Sequence, residues 1–368
     1  MNIPEGFIPL VRERGDGPVS FSTDTSLYVS AAGSVTASVD VDDFIELPKT
    51  LLADVAASES PVDELIGRRP AGTDRLPPGA ETLVHSALEA PVVVHIRGTA
   101  VAGMLAGAAG ERFLLEHFPG EALWTPLLAP DGTSISALQA QIKQFRSTHN
   151  GNPPAVLAIM NHGLLVTGTT PLDVANTIDR VKSAVEAAIR RRPDTAEQQK
   201  NTDALEELRH AVSRALADTR AAHGAALTRP MTSACTSPEI LRRTASAQAF
   251  EPLRTALMTE HLVHLGHSFC FVPRHGDVNS PQALLADVLH GIHDFYNEEL
   301  AAPRVVAIEG GAVVIVGETE EELHDACFAF DRALEIACYA ESFGGARGIP
   351  LSYMASFRDL PVPSSETT

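Results

Sequence analysis

One segment of this chain occurs twice, 149 residues apart, and it constrains the fold more than any other feature. VLAIMNHGLLVTG at 156–168 aligns without a gap with VVAIEGGAVVIVG at 305–317. In each copy two apolar runs flank a turn and lead to an amphipathic segment, the pattern of two strands followed by a helix. His162 of the first copy corresponds to Gly311 of the second. Because a glycine serves at that turn, the fold does not need the histidine, and His162 becomes a candidate for chemistry.

The helix after the first copy carries clear boundary signals. Thr170 suits the N-cap and Pro171 the first helical position. Its apolar residues recur at helical spacing, at Val174, Ile178, Val181 and Val185. By contrast, the first 50 residues indicate short strands and turns, 51–80 an exposed loop, and 192–228 a charged helical segment.

A valine-rich segment, PVVVHIRGTAV at 91–101, reads as a strand that contains a histidine and an arginine. Side chains alternate between the two faces of a strand, so His95 and Arg97 point to the same side. A core histidine satisfied by a backbone carbonyl is the simplest interpretation of His95 alone. Two polar residues on one face of an otherwise apolar strand need a further explanation.

Charge and composition exclude several classes of protein. The formal net charge of −19 argues against a nucleic-acid binder, which needs a basic face. The four cysteines form no C-x-x-C pair, which argues against a disulfide framework or a thiolate zinc site. Neither a membrane span of about 18 apolar residues nor a signal-peptide core is present in the sequence. We expect a cytoplasmic protein that binds neither nucleic acid nor membrane.

Several motifs together resemble the class II aldolase/adducin family. They occur in the order ETLVHSAL, VVVHIRGTA, ALWTPLLAP and VLAIMNHGLLVTGTTPLDVANTIDRVKSAVEAA. Two later segments, MTEHLVHLGHSFCFVP and LSYMASFRDLPV, extend the resemblance to nearly the whole chain. They are similar to the aldolase half of bifunctional rhamnulose-1-phosphate aldolase/dehydrogenase proteins.

The resemblance implies a fold, a chemistry and a site. The fold would be a three-layer α/β/α arrangement with a mainly antiparallel central sheet, and the assembly a homo-oligomer, a cyclic tetramer. The chemistry would be aldol cleavage through an enediolate, stabilised by a divalent metal, zinc, which three histidines hold. Glu81 matches the catalytic glutamate, His95 the first metal ligand and His162 the third. Glu81 could also be a plain first-turn helix carboxylate, and His162 a plain hairpin residue. His85 is expected to be structural.

The second metal ligand is replaced. Family members have the motif His-x-His on this strand, whereas this chain has His95-Ile96-Arg97. An arginine does not lose its proton at ordinary pH and so cannot bind a metal. Arg97 could form an ion pair with Glu81, or supply the positive charge in place of the metal. It could also bind a substrate carboxylate beside a metal held by two histidines and Glu81. A cation beside a dication is costly at short range, which weighs against that third alternative.

Other departures concern phosphate binding and a missing ligand. The phosphate loops of the family carry Gly-Asn and Pro-Ser-Gly, and they correspond here to Gly17-Pro18-Val19-Ser20 and Ala31-Ala32-Gly33. Pro18 removes a backbone donor and the asparagine side chain is gone, which weakens the phosphate grip. The substrate is therefore expected to be unphosphorylated. The short N-terminal lead-in suggests that a usual first helix is missing. If His261, His264 and His267 lie on a strand, His261 and His267 share one face and His264 lies on the other. One of these three histidines could supply the missing metal ligand if the fold brings it close to His95 and His162.

These observations lead to one prediction and one alternative. We expect a class II aldolase-like core at 1–228 and an extension at 229–368 that carries the repeated unit and packs on the core. The protein would be a carbon–carbon lyase acting on a small hydroxy-carbonyl substrate, with Glu81 and Arg97 catalytic, and Arg97 and Asn161 substrate-binding. Alternatively, it would be a non-catalytic, adducin-like binding or assembly protein with a degenerate metal site.

Overall fold

The computed structural model divides the chain into two compact units. Unit 1 comprises Met1–Leu105, Ala109–Ile189 and Ser352–Thr368, and unit 2 comprises Ala106–Ala108 and Arg190–Leu351. The residues described are 3–31, 34, 36–56, 77–79, 81–128, 132–196, 202–224, 229–275 and 280–354. The domain boundary predicted between 228 and 229 falls within the range of unit 2. Residue 228 lies outside the described residues. No helix in this described part is long and apolar enough to cross a bilayer.

Unit 1 is built on a seven-stranded sheet in the order β3-β2-β1-β4-β7-β6-β5. The strands are β1 Val19–Ser22, β2 Ser26–Ser30, β3 Phe44–Pro48, β4 Val92–Ile96, β5 Ala122–Thr125, β6 Val156–Ile159 and β7 Gly163–Gly168. All neighbouring strands run antiparallel except β5 and β6, which are parallel. The predicted mainly antiparallel central sheet is confirmed.

Helices cover both faces of this sheet. They are α1 Phe7–Arg14, α2 Lys49–Ala56, α3 Thr82–Leu88, α4 Thr99–Leu105, α5 Gly110–His117, α6 Gly132–Thr148 and α7 Pro171–Ala188. Helices α2, α3 and α6 share a hydrophobic core with Val93 and Leu165 of the sheet. On the opposite face Phe7 of α1 packs against Phe21 and Phe44, with ring centroids 5.2 and 5.6 Å apart. Helix α7 packs against α1 and α4. The three-layer α/β/α prediction is confirmed.

Helix α1 corrects one expectation from the sequence. A helix does precede β1, because Phe7, Leu10 and Val11 recur at helical spacing and are buried. The first residues of the predicted loop 51–80 likewise belong to α2, whose Leu52 and Val55 are buried. Residues 57–76 lie outside the described residues.

Unit 2 contains a four-stranded sheet in the order β8-β11-β10-β9. The strands are β8 Met231–Cys235, β9 Cys270–Val272, β10 Val305–Ile308 and β11 Val313–Gly317. The helices are α8 Thr202–Ala222, α9 Pro238–Thr244, α10 Ala247–Phe250, α11 Thr259–His264, α12 Pro281–Glu299 and α13 Glu320–Ala340. The inner faces of α8 and α12 pack on β9, β10 and β11 in one hydrophobic core.

The two repeated segments fold into hairpins of the same register. Val156 pairs with Val166 in unit 1, and Val305 pairs with Ile315 in unit 2. A parallel strand, β5 or β9, borders each hairpin on one side, and an antiparallel strand, β4 or β8, borders it on the other. The four strands of unit 2 thus have the same order and directions as β4, β7, β6 and β5 of unit 1.

Candidate active site

Glu81 occupies the N-cap of α3, and its side chain forms no capping hydrogen bond there. The carboxylate instead reaches towards the end of β4. One of its oxygens, Oε2, lies 2.7 Å from Nδ1 of His95, and the other, Oε1, lies 3.3 Å from Nε2 of His162. Glu81 is therefore more than a first-turn helix carboxylate, since it joins two histidines from a strand and a turn.

His95 lies fully buried on β4, between the backbones of β1 and β7. Its backbone pairs with Leu165, and its N–H donates to the carbonyl of Pro18. Val93, two residues earlier, belongs to the hydrophobic core beneath α3. Because strand residues two apart share a face, His95 points to the face on which Glu81 begins α3.

His162 follows a residue in the left-handed conformation, Asn161, with φ of 57°. Asparagine tolerates this conformation better than most residues, so the predicted hairpin turn forms here. The imidazole rings of His162 and His95 lie 5.2 Å apart, centroid to centroid. Asn161 itself is fully buried, and its predicted role in substrate binding stays a prediction.

Arg97 completes the group that we call the Glu81 cluster: Glu81, His95, Arg97 and His162. Its guanidinium Nη2 lies 3.9 Å from Oε1 of Glu81. About a fifth of the side chain is exposed at Glu81, Arg97 and His162, whereas His95 is closed off. The cluster therefore presents one carboxylate, one guanidinium and one imidazole to a ligand.

The sequence analysis did not connect Asp16 and Gly17 with this cluster, although both residues contact it. The carboxylate of Asp16 accepts a hydrogen bond from the backbone N–H of Arg97. The backbone N–H of Asp16 donates to the carbonyl of His95. A Cβ on Gly17 would lie 2.9 Å from both Nδ1 of His95 and Nη2 of Arg97. Two glycines around an aspartate just before β1 were the available signal. That signal could not show which strand the segment would contact.

Burial and neighbouring charges set the protonation of the cluster. Burial raises the pKa of Glu81, whereas His95 and His162 lower it. The effect of the two histidines is the larger, so the pKa of Glu81 lies well below its usual range. Burial lowers the pKa of His95 to about 4, against the opposing effect of Glu81. At neutral pH an ionised Glu81 thus accepts a hydrogen bond from Nδ1–H of a neutral His95.

The donor set of the cluster fits a divalent cation. Glu81, His95 and His162 each offer one ligand atom within 4.8 Å of the other two, and they are the only such group of three in the described part of the chain. Two imidazoles and one carboxylate bind zinc and other divalent metals. Nε2 of His95, however, is buried without a hydrogen-bond partner among the described residues, so this ring lacks the outer support of most metal-bound histidines.

The histidines proposed as a source of the missing ligand have other surroundings. His261 and His264 lie on α11, a helix and not the strand considered from the sequence. His261 accepts a hydrogen bond from the N–H of Leu257, and His267 lies within hydrogen-bond distance of Ser268 and the carbonyl of Ile349. His85 is buried, 2.8 Å from the hydroxyl of Ser20.

Comparisons with known proteins give structural neighbours only. No protein-family model and no curated protein matches the sequence. The N-terminal class II aldolase domain of a conserved protein from Thermoplasma acidophilum superposes with a TM-score of 0.43 and 16% identity, covering 50% of this chain and 93% of that one. L-fuculose-1-phosphate aldolase from Thermus thermophilus gives a TM-score of 0.33 and 12% identity, over 50% of this chain and 92% of that one. An aldolase II superfamily protein from Pseudomonas syringae gives a TM-score of 0.35 and 16% identity, over 49% of this chain and 69% of that one. At these values the likeness assigns neither a family nor an activity.

Proposed function

We propose that the Glu81 cluster is the active centre of a carbon–carbon lyase that acts on a small, unphosphorylated hydroxy-carbonyl compound. The observation that carries this proposal is the convergence of a carboxylate, two imidazoles and a guanidinium at one partly exposed point. These residues come from a helix N-terminus, the end of a strand and a hairpin turn. A plain structural ion pair needs only two of these groups.

In the cleavage direction the residues would act as follows. Glu81 accepts the proton of the substrate hydroxyl while the adjacent carbon–carbon bond breaks, and the bonding electrons pass to the carbonyl group to form an enediolate. Glu81 then returns a proton to carbon, and the second fragment leaves. The guanidinium of Arg97 holds the developing negative oxygen, since its charge is fixed at any ordinary pH.

The resting contacts make Glu81 a weak base, and substrate binding would change this. His95 and His162 lower the pKa of Glu81, whereas burial alone raises it. A ligand that separates the carboxylate from His162 therefore raises the basicity of Glu81. His95 and His162 would hold a divalent cation such as zinc, which would supply further positive charge for the enediolate oxygens.

The test combines metal content with turnover. Protein without a histidine tag should contain about one divalent metal ion per chain by elemental analysis, and His162→Ala should lose it. His117→Ala, at a surface histidine of α5, is the matched control and should keep it. The same sample serves to measure the assembly, expected to be a homotetramer, by light scattering.

A screen of hydroxy-carbonyl compounds then distinguishes an enzyme from a binding protein. The wild-type protein should release an aldehyde from at least one compound, and Glu81→Gln should abolish this release. Protein that stays free of metal after incubation with excess zinc would contradict the metal site. Binding of such compounds without cleavage would instead support the non-catalytic alternative.

A further inference from the structure

A cleft of unit 1 lies away from the Glu81 cluster. It has a volume of about 790 Å³ and opens between α2, α3 and α6, beside the ends of β1 and β2. Leu27, Leu52, Ala87 and Ile142 line it, and all four belong to the buried core beneath the helices. The cleft therefore has an apolar floor. It lies at the opposite end of α3 from Glu81, roughly 10 Å along the helix.

The rim of this cleft is basic. It carries Lys49, Lys143 and Arg146, and its one acidic lining residue, Glu89, is paired with Arg146 at 2.5 Å. Only four of the 28 basic residues of the chain are lysines, and two of those four meet here. On a chain with a net charge of −19, this local excess of positive charge contrasts with the rest of the molecule.

The polar groups of the cleft are available to a ligand. Neither Lys49 nor Lys143 forms an ion pair or a side-chain hydrogen bond within the described part of the chain, and the same holds for the hydroxyls of Ser22 and Ser86. Arg146 is held in place, because Nε donates to the carbonyl of Gly151 and Nη1 contacts Glu89. The cleft thus combines a fixed guanidinium, two ammonium groups and two hydroxyl donors.

We propose that this cleft binds a phosphorylated small molecule whose apolar part rests on the floor. A phosphate group carries up to two negative charges and accepts several hydrogen bonds, which matches two lysines, an arginine and nearby hydroxyls. The apolar floor favours a ligand with a planar or aliphatic group over free phosphate. This site is separate from the proposed lyase centre, and neither proposal depends on the other.

The first experiment measures binding of three probes to the full chain by calorimetry at low ionic strength. Adenosine monophosphate combines a phosphate with an apolar group, inorganic phosphate lacks the apolar group, and adenosine lacks the charge. We expect adenosine monophosphate to bind at least about tenfold more tightly than either other probe, and its affinity to fall with added salt. Failure to bind adenosine monophosphate, or an affinity for either other probe that equals it, would overturn the proposal.

Lysine variants then locate the bound phosphate. Lys49→Gln and Lys143→Gln should each weaken the binding of adenosine monophosphate by about tenfold, the effect of losing one charged contact. Lys143→Arg should retain most of the affinity. Lys182→Gln, on α7 and outside the cleft, is the matched control. Unchanged affinity in both glutamine variants, or an equal loss in Lys182→Gln, would show that the anion binds elsewhere. Circular dichroism checks that every variant is folded.

Discussion

His95 fills space that two glycines leave open. A Cβ on Gly163 would lie 1.7 Å from Nε2 of His95, and a Cβ on Gly17 would lie 2.9 Å from Nδ1. The hairpin turn requires one residue with a left-handed φ, and that residue is Asn161, not Gly163. Gly163 is thus a glycine for reasons of space, and the turn chemistry visible in the sequence could not reveal this.

The substitution Gly163→Ala should displace the His95 ring and destabilise unit 1. Overpacking of this kind costs about 1–3 kcal/mol, and the contact between His95 and Glu81 should be lost. Urea denaturation and a crystal structure of the variant would measure both effects. Gly98→Ala is the control, because the nearest atom to its new Cβ is Oδ2 of Asp16 at 3.9 Å. A Gly163→Ala protein with unchanged stability and an unmoved His95 would contradict this packing argument.

Glu239 in unit 2 shows how far a buried carboxylate depends on its partners. Its side chain is 1% exposed and contacts three arginines, Arg191, Arg242 and Arg243. Burial raises the pKa of Glu239, but these arginines lower it to about 2. No sequence pattern connects Arg191 with a glutamate 48 residues later.

Glu239→Gln should therefore destabilise the protein strongly. Removing this carboxylate takes one of two counter-charges from the buried guanidinium of Arg243, while Glu341 still pairs with all three arginines. The cost should therefore be about 3 kcal/mol, the lower end of what breaking a buried ion pair costs. The control is Glu121→Gln in unit 1, whose pair with Arg180 is largely exposed and should be worth less than about 1 kcal/mol. Denaturant midpoints of the two variants would decide, and equal small shifts would refute the role given to Glu239.

At the scale of elements, local signals predicted α7 well. Thr170 accepts a hydrogen bond from the N–H of Asp173, and the Asp173 carboxylate accepts one from the N–H of Thr170, which forms a capping box. Pro171 occupies the first turn, as predicted. All four predicted apolar positions of α7 are fully buried: Val174, Ile178, Val181 and Val185.

Thr170→Ala should lower the free energy of unfolding by about 1 kcal/mol, because an N–H at the helix start loses its acceptor. Thr170→Ser keeps the hydroxyl and should stay within about 0.5 kcal/mol of the wild type. Thermal unfolding of the two variants gives this comparison. If Thr170→Ser and Thr170→Ala lower the free energy of unfolding equally, the capping hydrogen bond does not account for the effect.

Element prediction failed where the pattern was short. His261 and His264 were considered on a strand, but they belong to α11, which has only six residues. His261 is buried there, whereas His264 is partly exposed. Over so few residues the periods of a helix and a strand cannot be told apart.

At the scale of the whole molecule, buried histidines link stability to pH. Burial lowers the pKa of His85 to about 3, and those of His95 and His261 to about 4. In the unfolded chain these groups have their ordinary pKa of 6.5, so the unfolded state binds more protons below that pH. The free energy of unfolding must then fall as the pH drops from about 6.5 towards 4. The lowered pKa of Glu81 acts in the same direction at still lower pH.

We expect the protein to lose about 4–5 kcal/mol of stability between pH 6.5 and 5, since each of the three histidines contributes about 1.6 kcal/mol. Urea unfolding at a series of pH values measures this loss. In the folded protein the C2 protons of His85 and His95 should not shift between pH 5.5 and 8 by NMR. A constant stability over this range, or a titrating His95, would contradict the assignment of neutral buried imidazoles.

The sequence alone determined the local parts of this protein: the strand that carries His95 and leads to Arg97, the hairpin that turns at Asn161, and the capped helix α7. Periodicity, capping and turn chemistry depend on residues a few positions apart, so a sequence displays them directly. Motif resemblance also singled out Glu81 and His162 as candidates.

Only the tertiary structure decided how these parts meet. Glu81 contacts His95 across 14 residues of sequence, and Asp16 holds the backbone of Arg97 across 81. The space left by Gly163 and the basic cleft between α2, α3 and α6 exist only once the sheet and its helices are packed. Contacts between distant residues depend on how close-packed elements fit together, and no local pattern in the sequence records that fit.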